Sequence, residues 1–119
     1  SIDEIPKFEN INNITINVYQ LIFDGMAYSI SLLYPFKTPR LIKEQHVNLL
    51  LYENHYVLIQ NLNKLFSISV KGNHSSYVCE NCCTSIFSTF SALENHKIKC
   101  DYKIKNQNFL TVIFLIIWK

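Results

Sequence analysis

All four cysteines of this 119-residue chain, and one of its four histidines, stand within the stretch Tyr77 to Cys100, YVCENCCTSIFSTFSALENHKIKC. No other feature restricts the chain so much, because thiols gathered this tightly serve a disulfide framework, a catalytic thiol or a metal ion. Each of those uses demands a different surrounding sequence.

The spacing answers to a metal. Cys79 and Cys82 are separated by two residues, the interval at which a tight turn aims two thiolates at one ion about 2.3 Å away. His96 follows thirteen residues later and Cys100 three residues after that, so an imidazole and a thiolate fall about one helical turn apart on one face. Phe87 and Leu93 supply the small apolar core that so short a module needs beside its metal. The pattern Cys-x2-Cys-x13-His-x3-Cys is one residue longer in its middle than the usual finger. Cys83 is the alternative to Cys82 as second ligand, since it shortens the loop and restores the ordinary register. Cys82 instead keeps the commoner two-residue knuckle and requires a one-residue bulge near Ser85 or Ile86; the knuckle geometry favours it. The expected ligand set is Cys79, Cys82 (or Cys83), His96 and Cys100, and the expected cofactor is Zn2+. Disulfides fit poorly, because no secretory signal is present and two of the thiols are adjacent. His46, His55 and His74 stand at no finger spacing from another donor and read as strand or turn residues.

The rest of the chain bounds the setting of that cluster. At 119 residues it suits one or two small units, and 49% hydrophobic residues with two glycines and three prolines exclude bulk disorder. The formal net charge of +2 is too small to argue a nucleic-acid partner. Its distribution says more: Asp3, Glu4, Glu9 and Asp24 face Lys7 alone in the first thirty residues, whereas Lys97, Lys99, Lys103 and Lys105 gather beside the cysteines. Those lysines suit either a solvated face or contact with phosphate. Arg40 is the single arginine, so bidentate reading of guanine is scarce. The chain starts at Ser1 without a signal-peptide pattern and reads as part of a longer product; the glycosylation patterns at Asn13 and Asn73 then carry no weight. The closing FLTVIFLIIWK is about half of the roughly 20 residues that a bilayer requires, which argues against a membrane and for a buried strand or an unpaired remnant.

Periodicity supplies the organisation. NITINVYQLI alternates as a half-buried strand, Asp24-Gly25 marks a turn, and MAYSISLLYPF returns with Tyr28, Ile30 and Leu32 on one face. HVNLLLY and YVLIQ flank ENH as a second hairpin, and Asn61 caps a short helix carrying Leu62, Leu65 and Phe66. The expected fold is α+β: a tail over 1–10, a small antiparallel β unit of two hairpins and a short helix over 11–70, a linker at 71–76, a ββα zinc finger with a Cys-Cys-His-Cys ligand set over 77–102, and a basic, then apolar segment over 103–119.

FENINNITINVYQL, HVNLLLYENHYVLIQNLNKLF and the finger sequence, in that order, resemble the segment that precedes the catalytic part of protein-primed type-B DNA polymerases of Polinton/Maverick-like transposons and related viruses. The resemblance covers about residues 8 to 100. It implies a finger that leads into an exonuclease domain bearing an acidic metal motif; here the apolar segment follows Cys100 instead. It also implies an accessory, non-catalytic role within a replication polypeptide, in an intracellular, nuclear setting.

Counted from Phe87 onto a finger helix, Thr89, Ala92 and Asn95 would face the bases, and only Asn95 offers a bidentate edge, suited to adenine. The expected nucleic-acid contact is therefore weak and indifferent to sequence, through Lys97, Lys99, Lys103 and Lys105 with Asn95. A zinc-stabilised protein-interaction module is the alternative. A cysteine hydrolase using His55 as base is remote, because every cysteine lies downstream of it and within the finger pattern.

Overall fold

A computed structural model describes the backbone of residues 2–69, 76–83 and 85–117, and their side chains except those of 68–69 and 105–117. The architecture is α+β, with a four-stranded mixed sheet, a two-stranded antiparallel ribbon and helices on both faces of the larger sheet.

The segment expected as a tail carries a helix. After a 3-10 turn over Ile2–Glu4, α1 spans Ile5–Asn12, with Pro6 in its first turn and Asn13 ending it at a left-handed φ of 52°. Proline costs nothing there because the first helical N–H groups have no partner in the helix, and asparagine tolerates the left-handed stop. β1 (Thr15–Phe23) and β2 (Tyr28–Tyr34) form a hairpin, turned by Asp24, whose Oδ1 accepts from the N–H groups of Met26 and Ala27 at 2.9 Å each. Gly25 sits in that turn at φ 97°. β3 (His46–Tyr52) and β4 (His55–Leu58) form the second hairpin, in which Glu53 and Asn54 both take positive φ in a two-residue turn and His55 already belongs to the strand.

The two hairpins join differently from the antiparallel expectation. The strand order is β2-β1-β3-β4, and β1 pairs parallel to β3, from Thr15 with His46 to Gln20 with Leu51. Residues 35–45 carry the chain from one side of β1 to the other. As the central strand, β1 is buried on both faces over Thr15 to Tyr19 rather than half-buried. Ile16 and Val18 pack with Ile5 of α1 and Tyr34, while Tyr19 packs on the other face with Leu62 and Phe66 of α2 (Leu62–Ser69). The Oδ1 of Asn61 caps α2 by accepting from the Lys64 N–H at 3.0 Å.

The finger follows as β5 (Tyr77–Val78), β6 (Ile86–Phe87) and α3 (Phe90–Ile117). Thr89, counted among the base-facing positions of a reading helix, lies at the start of α3, where its Oγ1 accepts from the Ala92 N–H at 3.2 Å. The helix continues through residues 109–117, so the apolar segment is helical rather than a strand; its side chains lie outside the described residues. No helix of the described residues is long and apolar enough to cross a membrane. Of the linker at 71–76 only Ser76 is described, so His74 and the Asn73 sequon also lie outside the described residues.

The finger is not separated from the sheet. Val78 and Cys83 are buried in one cluster with Tyr19, Leu62 and Phe66, so the two units share a core. Tyr19 and Phe66 meet edge to face there, with ring centroids 5.7 Å apart.

Candidate metal site

Cys79, Cys82, His96 and Cys100 bring one donor atom each to within 4.8 Å of one another. Among the described residues they are the one group of three or more Cys, His, Asp or Glu side chains so arranged. The elements explain the convergence. The β5–β6 ribbon carries the knuckle at one end, and α3 crosses it so that Leu93, Cys100 and Ile104 are buried against Cys79, with Tyr77 and Phe87 packed around them. Phe87 also lies against the His96 ring at 4.9 Å between centroids.

The donor set fits a tetrahedral thiophilic ion. A zinc ion with sulfurs at about 2.3 Å needs those donors roughly 3.8 Å apart. The sulfurs of Cys82 and Cys100 are 3.3 Å apart, those of Cys79 and Cys100 are 4.0 Å apart, and Cys82 Sγ is 3.4 Å from His96 Nε2. These separations bracket that edge and are far longer than a disulfide's S–S bond of about 2.05 Å; no disulfide joins any of the four cysteines. Burial pushes the Cys79 thiol up, with a further upward push from neighbouring Cys82, while backbone N–H groups of Cys82 and Asn81 pull it down. Burial and then the bonds and charges of Cys82 and Cys79 push Cys100 up as well. Three sulfurs so close together repel as thiolates, and a bound cation is what relieves that repulsion.

Cys83 faces elsewhere. Its backbone takes φ 69°, its thiol donates to the Glu80 carbonyl at 3.2 Å, and its side chain lies in the core shared with Tyr19 and Phe66. Burial raises its thiol to about 11. The extra residue of the finger loop is thus taken up at the left-handed Cys83, not by a bulge at Ser85 or Ile86, both of which are described in or beside the ribbon.

The remaining singled-out residues divide. Asn95, Lys97, Lys99 and Lys103 are exposed on α3, and the Lys105 side chain lies outside the described residues. At about 100° per residue, Lys99 and Lys103 share a side of the helix, whereas Lys97 stands roughly 160° around from Lys99. Lys97 instead acts on Glu80, whose carboxyl is held below its ordinary value first by a bond from His46 and also by the His46 and Lys97 charges. The four lysines therefore do not form one patch. His55 is exposed on β4, while His46 sits at the head of β3 with Nε2 2.8 Å from the Glu80 carboxylate and Nδ1 3.1 Å from the Thr15 carbonyl.

Sequence reasoning missed the residues beneath the knuckle. Asn17, fully buried in β1, donates from Nδ2 to the Glu80 carbonyl at 3.2 Å, and the Arg40 N–H donates to the Asn81 carbonyl at 3.0 Å. No signal in the sequence marked Asn17, because alternation in NITINVYQLI assigns it to the polar side of a half-buried strand, whereas β1 is buried on both faces. Comparison with protein-family models, with curated proteins and with solved structures found no match for the chain.

Proposed function

We propose that this chain is a zinc-stabilised, non-catalytic module of a mobile-element or viral DNA replication polypeptide, with weak contact to nucleic-acid phosphate. The observation that carries the zinc reading is the convergence of three thiols and one imidazole at spacings suited to a tetrahedral ion. Bound there, zinc would cross-link the knuckle to α3 and supply folding energy rather than chemistry. The replication setting rests on the sequence resemblance, and an intracellular, nuclear location goes with it.

Lys99 and Lys103, one turn apart on an exposed side of α3, support contact with DNA backbone of any sequence. Asn95 and Ala92 are too few to read a site. The second reading, a protein-interaction module, is favoured by Ile98 and Tyr102, which stay 72% and 67% exposed on α3 beside those lysines.

Purified protein is expected to carry one equivalent of zinc, which Cys82→Ser loses and Cys83→Ser retains. Metal analysis of the three proteins decides it; zinc kept by Cys82→Ser and lost from Cys83→Ser would exchange the two roles. Replacing Lys99 and Lys103 by Ala should weaken binding to all DNA sequences alike and flatten its salt dependence, with zinc content unchanged. A wild-type chain with no salt-dependent DNA binding would leave the protein-interaction reading standing.

A further inference from the structure

We infer that the large sheet and its crossover are part of the metal site, with Asn17 of β1 and Arg40 of the crossover acting as positioning residues that hold the Cys79–Cys82 knuckle in its binding shape; this rests on the metal reading above. Two residues, Glu80 and Asn81, lie between the first two ligands. The peptide unit joining them carries the Glu80 carbonyl on one side and the Asn81 N–H on the other, and the next unit carries the Asn81 carbonyl and the Cys82 N–H. Because each unit is planar, fixing its carbonyl also fixes the direction of its N–H. Both carbonyls are held, that of Glu80 by Asn17 Nδ2 from β1 and that of Asn81 by the N–H of Arg40 from the crossover over 35–45. The backbone N–H groups of Cys82 and Asn81 are also the ones that pull the Cys79 thiol down against burial.

The supports are rigid. Asn17 lies at the centre of the sheet with no exposed surface, and its Oδ1 accepts from the Arg40 guanidinium at 3.2 Å. Arg40 also donates to the Ile16 carbonyl and pairs with the Glu9 carboxylate at 3.1 Å. In a free-standing knuckle those carbonyls would face water, and the N–H groups would have to be ordered when the metal binds. Here that ordering is done beforehand by hydrogen bonds to buried Asn17 and to the half-buried Arg40, the role that outer partners fill for other metal ligands.

The test uses the full chain, with zinc affinity measured by chelator competition and ligand geometry by the absorption bands of the cobalt-substituted protein. Asn17→Leu removes the donor to Glu80 while touching no ligand, and is expected to weaken zinc binding by about 10- to 100-fold and to shift the cobalt bands. Arg40→Pro removes the backbone donor to Asn81, whereas Arg40→Ala keeps it, so the proline variant should bind zinc more weakly than the alanine variant. That comparison keeps the idea exposed to refutation should Asn17→Leu fail to fold. Wild-type affinity and unchanged cobalt bands in Asn17→Leu, or equal affinities in the two Arg40 variants, would overturn the positioning role while leaving the zinc reading intact. A wild-type chain that binds neither zinc nor cobalt overturns both.

Discussion

Tyr19 and Tyr34 keep their phenol protons more firmly than free tyrosine does, Tyr19 through burial and then the neighbouring Cys83, Tyr34 through burial and then the Glu9 carboxylate that accepts its hydroxyl. A raised value in the folded state means that the stabilisation is complete below the unfolded value of about 10 and is lost as pH rises through the folded value. Folded chain should therefore hold these two protons where an unfolded tyrosine has lost its own, and its stability should fall with rising pH above about 10. Ultraviolet titration of the zinc-loaded protein checks this: Tyr19→Phe and Tyr34→Phe should each remove one phenol that ionises only with unfolding. Ionisation of both without loss of structure would contradict the assignment. The buried sulfur of Cys83 belongs to the same environment, and its thiol, raised to about 11, is poorly suited to act as a nucleophile near neutral pH.

At the scale of elements, one side chain of α1 reaches both the sheet and the crossover of residues 35–45. Glu9 is buried, accepts from the Ile16 N–H at 2.8 Å and from the Tyr34 hydroxyl, and pairs with Arg40. Replacing Glu9 by Ala leaves the Arg40 guanidinium and the Ile16 N–H without that partner, and should cost about 3 kcal/mol in urea unfolding, near the lower bound for breaking a buried pair because Arg40 is partly exposed. Glu9→Gln, which keeps an acceptor, should cost less. This helix was not legible in the sequence, since IPKFENIN combines a proline with two asparagines and is held by the tertiary contacts of Ile5 and Glu9 more than by its own propensity. The strands and the capped helix after Asn61 were legible, because period-two alternation, Asp24-Gly25 and an Asn cap are local signals. The parallel join of β1 to β3 was not, because alternation records which face a residue takes and says nothing about the direction of its neighbour. The spacing of Cys79, Cys82, His96 and Cys100 made the cluster legible, whereas the choice between Cys82 and Cys83 needed the backbone turn at Cys83.

For the molecule as a whole, the shared core and the bonds across the knuckle tie the sheet and the finger together. Tyr19, Leu62 and Phe66 bury Val78 and Cys83, and the Val78 N–H donates to Asn63 Oδ1 at 2.9 Å. Removing the metal should therefore loosen β1 and α2 along with the finger, instead of sparing the sheet. Hydrogen exchange before and after chelation is the measurement: faster exchange at Tyr19 and its strand neighbours is expected, and unchanged protection there would mean that the sheet stands alone. The groups that hold the knuckle have one further property in common, their order in the polypeptide. Asn17, Arg40 and His46 all precede Cys79. A ribosome adding about 5–20 residues per second therefore releases the support before the thiols that it steadies. Glu80 and Asn81 leave the ribosome after Asn17, Arg40 and His46, and His96 and Cys100, the donors that complete the site, leave it last.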